Sequence, residues 1–230
     1  MKKTLLILMC ALMVVVVPGC DSMSKTGKGA LLGTGAGAAV GAGIGAIIGK
    51  GKGAAIGAAI GGAVGAGAGT LIGRKMDKKA EELKAALENA DIEKVTDVNG
   101  LEAIKVTFES GILFPTNGTT LSDVSKTQLS KFASKMKDME ETDITIFGHT
   151  DNTGTAAVNE RISKQRADAV QSYLKSLGIA ESRMTADGKS FNEPIADNST
   201  KEGKAKNRRV EIFISANAQM IKAAEEGKLN

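Results

Sequence analysis

The sequence predicts an α/β sandwich of order β-α-β-α-β in its C-terminal half, preceded by a glycine-rich helical hairpin. Three observations carry this. Alternating apolar residues mark Ala103–Phe108 and Val210–Ile214 as strands, and a short apolar run marks Ile144–Phe147 as another. Apolar residues at helical spacing fill the stretches between them, the arrangement that lets helices cover a sheet. Upstream, glycines recur every four residues along much of Gly29–Gly73.

The chain opens with Lys2-Lys3 and an apolar run, Thr4–Val17, that is too short to span a bilayer comfortably and ends in Val17-Pro18-Gly19-Cys20. Charge, apolar run and terminal Cys resemble a bacterial lipoprotein signal, which implies that residues 1–19 are removed and that Cys20 becomes the lipidated N-terminus. Residues 20–28 then form a polar linker. Cys10 and Cys20 are the two cysteines, and Cys10 would leave with the signal, so no disulfide framework remains.

Residues 29–73 contain almost nothing but Gly, Ala and aliphatic residues, and they repeat: Gly37–Gly49 matches Gly61–Gly73. On a helix, glycine at every fourth position makes a groove that lets a second backbone approach closely. The segment resembles the glycine-zipper region of outer-membrane lipoproteins. Each copy is about twenty residues, enough at about 1.5 Å per residue to cross roughly 30 Å of hydrocarbon. Lys50-Gly51-Lys52-Gly53 would turn the chain between the two copies. Against this, each Gly costs about 1 kcal/mol in a helix relative to Ala. Both a packed membrane hairpin and a self-associating or disordered glycine-rich linker fit the pattern. The membrane, through Cys20 and Gly29–Gly73, and a second copy of the chain are therefore both expected partners.

Residues 74–98 read as a charged helical spacer, with a narrow stripe of Met76, Ala80, Leu83, Leu87 and Ala90. Residues 99–215 form the α/β domain, and 216–230 a C-terminal tail. Within the domain, Ser122–Met139 is a helix with Leu129, Phe132, Ala133 and Met136 inward. Arg183–Lys189 is a weak strand and Lys201–Lys206 a short helix.

Function concentrates in Gly148–Arg166. A Gly/Asn/Thr-rich turn leads into a helix that Thr155 can cap. Its apolar stripe reads as Val158, Ile162, Ala169, Tyr173 and Leu177. Beside it, Asn159, Ser163 and Arg166 share a second face. Asp151 lies in the turn. A fixed carboxylate and a fixed guanidinium on one edge suit a zwitterion, the Asp accepting from an ammonium and the Arg fork gripping a carboxylate. The same two residues could instead pair with each other as a fold-holding salt bridge.

Thr150-Asp151, Asn159, Arg166 and Asn207-Arg208-Arg209-Val210-Glu211-Ile212, in this order, resemble the OmpA-like peptidoglycan-binding domain over Leu101–Ser215. The resemblance implies a ligand, the diaminopimelate residue of the cell-wall peptide. It assigns the ammonium to Asp151, the carboxylate to Arg166, a supporting role to Asn159 and further contacts to Thr150 and Arg208. Thr116 and Asn117 match the family's ligand-facing loop, although Pro115 stands where the family usually has Asp. The implied protein is a wall-binding lipoprotein of the outer membrane with its C-terminal domain in the periplasm. The alternative is a glycine-zipper membrane element for which wall binding only sets position.

Other classes fit less well. A formal net charge of +4, with lysines scattered along helices, is not the footprint of a nucleic-acid binder. One histidine and one cysteine beyond the signal argue against a zinc site. No complete phosphate-binding loop occurs, so no cofactor is implied. His149 and Asp151 flank Thr150, but there is no nucleophile elbow, and the sequence reads as a non-enzyme.

Overall fold

The computed structural model describes residues 64–97, 99–109, 113–114 and 118–229. Cys20, residues 29–63 of the glycine-rich segment, Thr116 and Asn117 lie outside the described residues.

Five strands form one sheet: β1 (Asp91–Thr96), β2 (Glu102–Glu109), β3 (Thr142–Gly148), β4 (Met184–Gly188) and β5 (Arg209–Ala216). Their spatial order is β1-β2-β5-β3-β4, antiparallel throughout except for the β3–β4 pair. That parallel pair is joined by a long crossover containing a helix, the usual connection for parallel strands. β1 was not foreseen. Its charged Glu93 and Lys94 break the alternation, and such charges suit an edge strand because they discourage further pairing.

Among the described residues, five α-helices accompany the sheet: α1 (Ala66–Ala86), α2 (Asp123–Met136), α3 (Ala156–Ser176), α4 (Lys201–Asn207) and α5 (Ala218–Glu225). Ile104, Val106 and Phe108 of β2, Ile144 and Ile146 of β3, and Val210, Ile212 and Ile214 of β5 share the main core with α1, α2, α3 and α5. The opposite side of the sheet is sparse. Phe147 and Phe213 meet there edge to face, 5.7 Å between centroids, with Val95 packed against them.

The stretch expected to be a spacer is instead part of this core. α1 buries Ile72, Met76, Ala80 and Leu83 completely, and Leu87, just past its end, is nearly buried too. Lys79, itself buried, reaches the end of α2, donating to the Lys135 carbonyl at 2.9 Å and to Asp138 at 3.0 Å. The stripe that looked narrow is wide enough because Ile72 extends it upstream and the sheet offers an apolar face. α1 therefore begins inside the glycine-rich segment, and Gly69 and Gly73 lie against Leu101 and Glu102. At the other end, Asn217 caps α5 by accepting from the Gln219 and Met220 amides, and Met220, Ile221 and Ala224 are buried. No helix of the described residues is long and apolar enough to cross a membrane.

The face of α3 also differs from the expected one. Asn159, Ser163, Arg166, Ala167, Val170 and Leu174 are buried, whereas Val158 is 40% exposed. Apolar spacing pointed to the flank of the helix. The true inward face is apolar only in its second half and polar in its first, where it passes the ends of β3 and β4.

Candidate functional site

The polar half of α3 is held against the sheet by backbone contact. An added Cβ on Gly148 would lie 2.1 Å from the Ser163 carbonyl oxygen, and one on Gly188 would lie 2.5 Å from the Lys164 nitrogen. Ser163 Oγ donates to the Glu160 carbonyl at 2.9 Å and accepts from the Ser190 amide at 3.0 Å. Ser190 adopts φ 54°, a conformation that costs a residue with a Cβ, in order to make this turn.

The turn before α3 is built by its own side chains. Asp151 Oδ1 accepts from the Thr153 amide at 2.8 Å, and Asn159 Nδ2 donates to the Thr153 carbonyl at 2.9 Å. Thr155 caps the helix, its hydroxyl accepting from the Val158 amide. Thr150 donates its amide to the Ser190 carbonyl at 2.8 Å. Its hydroxyl oxygen is buried without a hydrogen-bond partner among the described residues.

Asp151 and Arg166 do not pair with each other. Asp151 Oδ2 takes a hydrogen bond from Arg208 Nη1 at 2.6 Å. Arg166 instead donates through Nε to the Gly118 carbonyl at 3.1 Å, and its guanidinium carbon stands 5.3 Å from the Phe114 ring centroid. These contacts fix the plane of the fork and, among the described residues, leave its two terminal nitrogens for other partners. Burial alone would raise the Asp151 pKa. The bonds from Arg208 and Thr153 outweigh it and hold the carboxyl below its ordinary value. Burial lowers the Arg166 pKa, the charge of Arg208 adds to this, and Asp151 opposes it, so the three groups share one field.

Arg208 and Arg209 point apart, as neighbours at a strand start must. Arg209 turns to the other side of the sheet, where its Nε donates to Glu211 Oε1 at 2.7 Å and its Nη2 to the Glu193 carbonyl at 3.1 Å. His149 is buried in the same cluster, with Nε2 3.4 Å from Glu211 Oε2 but no aligned hydrogen bond on either ring nitrogen. Burial lowers the His149 pKa. Burial would raise that of Glu211, but His149 and Arg209 bring it down to about 2. This cluster belongs to the fold and is separated from the Asp151 side by β5 itself.

The structure thus brings together Thr150, Asp151, Asn159, Arg166 and Arg208. Thr116 and Asn117 fall outside the described residues, between Phe114 and Gly118, both of which touch Arg166. Two residues were missed. Phe114 carries no motif of its own, and Gly118 contributes only a carbonyl, which leaves no sequence signal. Among the described residues, no cluster of three or more His, Cys, Asp or Glu side chains could hold a metal ion.

Residues 113–208 match the OmpA family, and residues 1–77 match the YMGG-like Gly-zipper. The lipoprotein YiaD of Escherichia coli is 35% identical over 144 residues, covering 63% of this chain and 64% of that protein. The peptidoglycan-binding protein ArfA of Mycobacterium tuberculosis is 39% identical over 113 residues, covering 49% of this chain and 35% of that protein. A crystal structure of a MotB-like protein from Desulfovibrio vulgaris superposes with a TM-score of 0.55 at 25% identity, covering 65% of this chain and 95% of that one. The chain spans between 32% and 64% of the length of the curated relatives it matches. An OmpA family domain is thus matched over residues 113–208, and a YMGG-like Gly-zipper over residues 1–77.

Proposed function

We propose that this chain is a non-catalytic cell-envelope lipoprotein that binds peptidoglycan through the diaminopimelate residue of the stem peptide and so tethers a membrane to the wall. One observation carries the reading. Asp151 and Arg166 are both buried and both charged, yet neither neutralises the other. A carboxylate aimed by Arg208 and Thr153, beside a guanidinium with a free fork, matches the ammonium and carboxylate of an amino-acid terminus. The name of the relative ArfA supports the same ligand class. The membrane end is assigned to Cys20 and the glycine-rich segment, in keeping with the lipoprotein YiaD, and the place to the outer membrane, in keeping with the outer membrane protein A of Bordetella avium.

The test is sedimentation of the full chain with purified sacculi, competed by free meso-diaminopimelate. Co-sedimentation that the amino acid reverses supports the reading. Co-sedimentation that it leaves untouched refutes the diaminopimelate assignment. The match of residues 1–77 to a Gly-zipper favours, alongside this, self-association through the glycine groove. Cross-linking before and after removal of residues 29–63, which spares the docked α1, separates that role from wall binding.

A further inference from the structure

The charges around the Asp151 turn do not balance. Arg208 matches Asp151, and Arg166 stands ready for one carboxylate of the ligand. A third cation remains. Lys204, on α4, directs its ammonium to the Thr153 hydroxyl at 3.2 Å and has no ion pair with any carboxylate among the described residues. Thr153 is the residue whose amide holds Asp151. Lys204 is therefore separated from the Asp151 carboxylate by two hydrogen bonds and the width of one residue.

Its placement is built. Thr200 caps α4 by accepting from the Gly203 amide at 3.0 Å. Gly203 packs so closely on Asp197 that an added Cβ would lie 1.9 Å from the Asp197 carbonyl oxygen. Asn207, fully buried, ends the helix by binding the Ile195 and Ala196 amides and the Ala196 carbonyl. The helix cannot slide, so the root of Lys204 is fixed beside the turn.

A diaminopimelate terminus is a zwitterion without net charge, and Asp151 and Arg166 account for both its groups. We propose that Lys204 binds a second carboxylate of the same ligand, so that the site selects an acidic stem peptide rather than diaminopimelate alone. The proposal rests on the function proposed above. In such a peptide the residue before diaminopimelate is a glutamate joined through its side-chain carboxyl, which leaves its α-carboxylate free. A lysine suits this second group because a flexible point charge tolerates variation in a peptide that a planar fork would not.

The test is calorimetric titration of the full chain in detergent with three probes. They are free meso-diaminopimelate, the tripeptide L-Ala-γ-D-Glu-meso-diaminopimelate, and the same tripeptide amidated at the glutamate α-carboxyl. Wild type should bind the acidic tripeptide about fivefold more tightly than the amidated one, the upper range for a part-exposed ion pair. Lys204→Gln should lose that fivefold and leave the other two probes unchanged. Equal binding of the two tripeptides by wild type overturns the proposal. So does a Lys204→Gln chain that weakens all three probes alike, because Lys204 then only holds Thr153 in place. If wild type binds free diaminopimelate but does not distinguish the tripeptides, only the Lys204 assignment falls. If it binds none of the three, the diaminopimelate reading falls too.

Discussion

Arg208 Nη1 donates to Asp151 Oδ2 at 2.6 Å across 57 residues of chain. The carboxylate that the proposed function offers to a ligand ammonium is thus already ionised, oriented and half engaged. Oδ1 is turned inward to Thr153, so both oxygens are fixed before any ligand arrives. Such preorganisation lowers the ordering cost of binding.

Removing this carboxylate should abolish wall binding. Asp151→Ala would leave the ligand ammonium desolvated and unpaired, a loss of about 2–5 kcal/mol for one partner of a buried charge pair. The fold should survive, because the side chain of Arg208 is 40% exposed and can turn to water. Sacculus sedimentation with a parallel circular-dichroism melt checks both halves. Undiminished sedimentation would mean that Asp151 serves only the turn.

The same pair sets a pH limit. The Asp151 pKa is lowered in the folded chain, so its charge and the stability it contributes are complete above the ordinary carboxylate value of about 3.9. The charge is lost only as pH falls through the lowered value, and the stability is lost progressively between the two. Binding should therefore stay flat from neutral pH down to that range. A midpoint near pH 6 would point to a different titrating group.

Arg166→Lys should weaken diaminopimelate binding by tenfold or more, about 1.4 kcal/mol. The charge is kept, but the ammonium cannot lie over Phe114, donate sideways to Gly118 and still present a fork. Equal affinities in a calorimetric comparison would reduce Arg166 to a source of positive potential.

Gly148→Ala should damage both stability and binding. The new methyl would meet the Ser163 carbonyl at 2.1 Å, and neither backbone can yield without moving α3. Overpacking of this kind costs about 1–3 kcal/mol. α3 carries Asn159 and Arg166, so the urea midpoint and sacculus binding should fall together. Normal binding at a lowered midpoint would show that the helix adjusts without disturbing the site.

His149 and Glu211 should make the fold sensitive to acid in two stages. A buried histidine with a lowered pKa resists the proton that the unfolded chain takes up below about pH 6.5, so stability starts to fall there. Glu211, held down to about 2, keeps its charge after the unfolded chain has lost it, so a second loss begins near the ordinary glutamate value. Urea midpoints between pH 7 and pH 3 should show both slopes. His149→Gln should remove the first and shrink the second to the part that Arg209 supplies.

Much of this arrangement was legible in the sequence because local chemistry decided it. The Asp151 turn is closed by contacts no more than six residues apart, and the inward face of α2 follows simple helical spacing. The apolar stripe of α3 misled because the first half of its buried face is polar and touches glycines rather than apolar side chains. β1 was hidden by charges that an edge strand tolerates. The Asp151–Arg208 bond and the Gly118 carbonyl under Arg166 depend on chain segments that only the folded sheet brings together. α1 was misjudged because its stripe has no evident partner until β2 and α2 are in place.

α1 also decides how much chain is left over for lipid. Docked on the sheet, it holds Ala68 and Ile72 in the core, and these residues lie within the second copy of the repeat. Between Lys52 and Ala66 only 13 residues remain. As a helix they reach about 20 Å, short of roughly 30 Å of hydrocarbon. A two-pass hairpin made of both full repeats and a docked α1 therefore compete for the same two turns of chain. Drawing those turns into a bilayer would uncover the cleft that Ile72 fills, at a cost of about 1.5–3 kcal/mol for that side chain alone. On the function proposed above, anchor and wall-binding sheet are then ends of one balance, in which bilayer thickness bears on the melting of the domain.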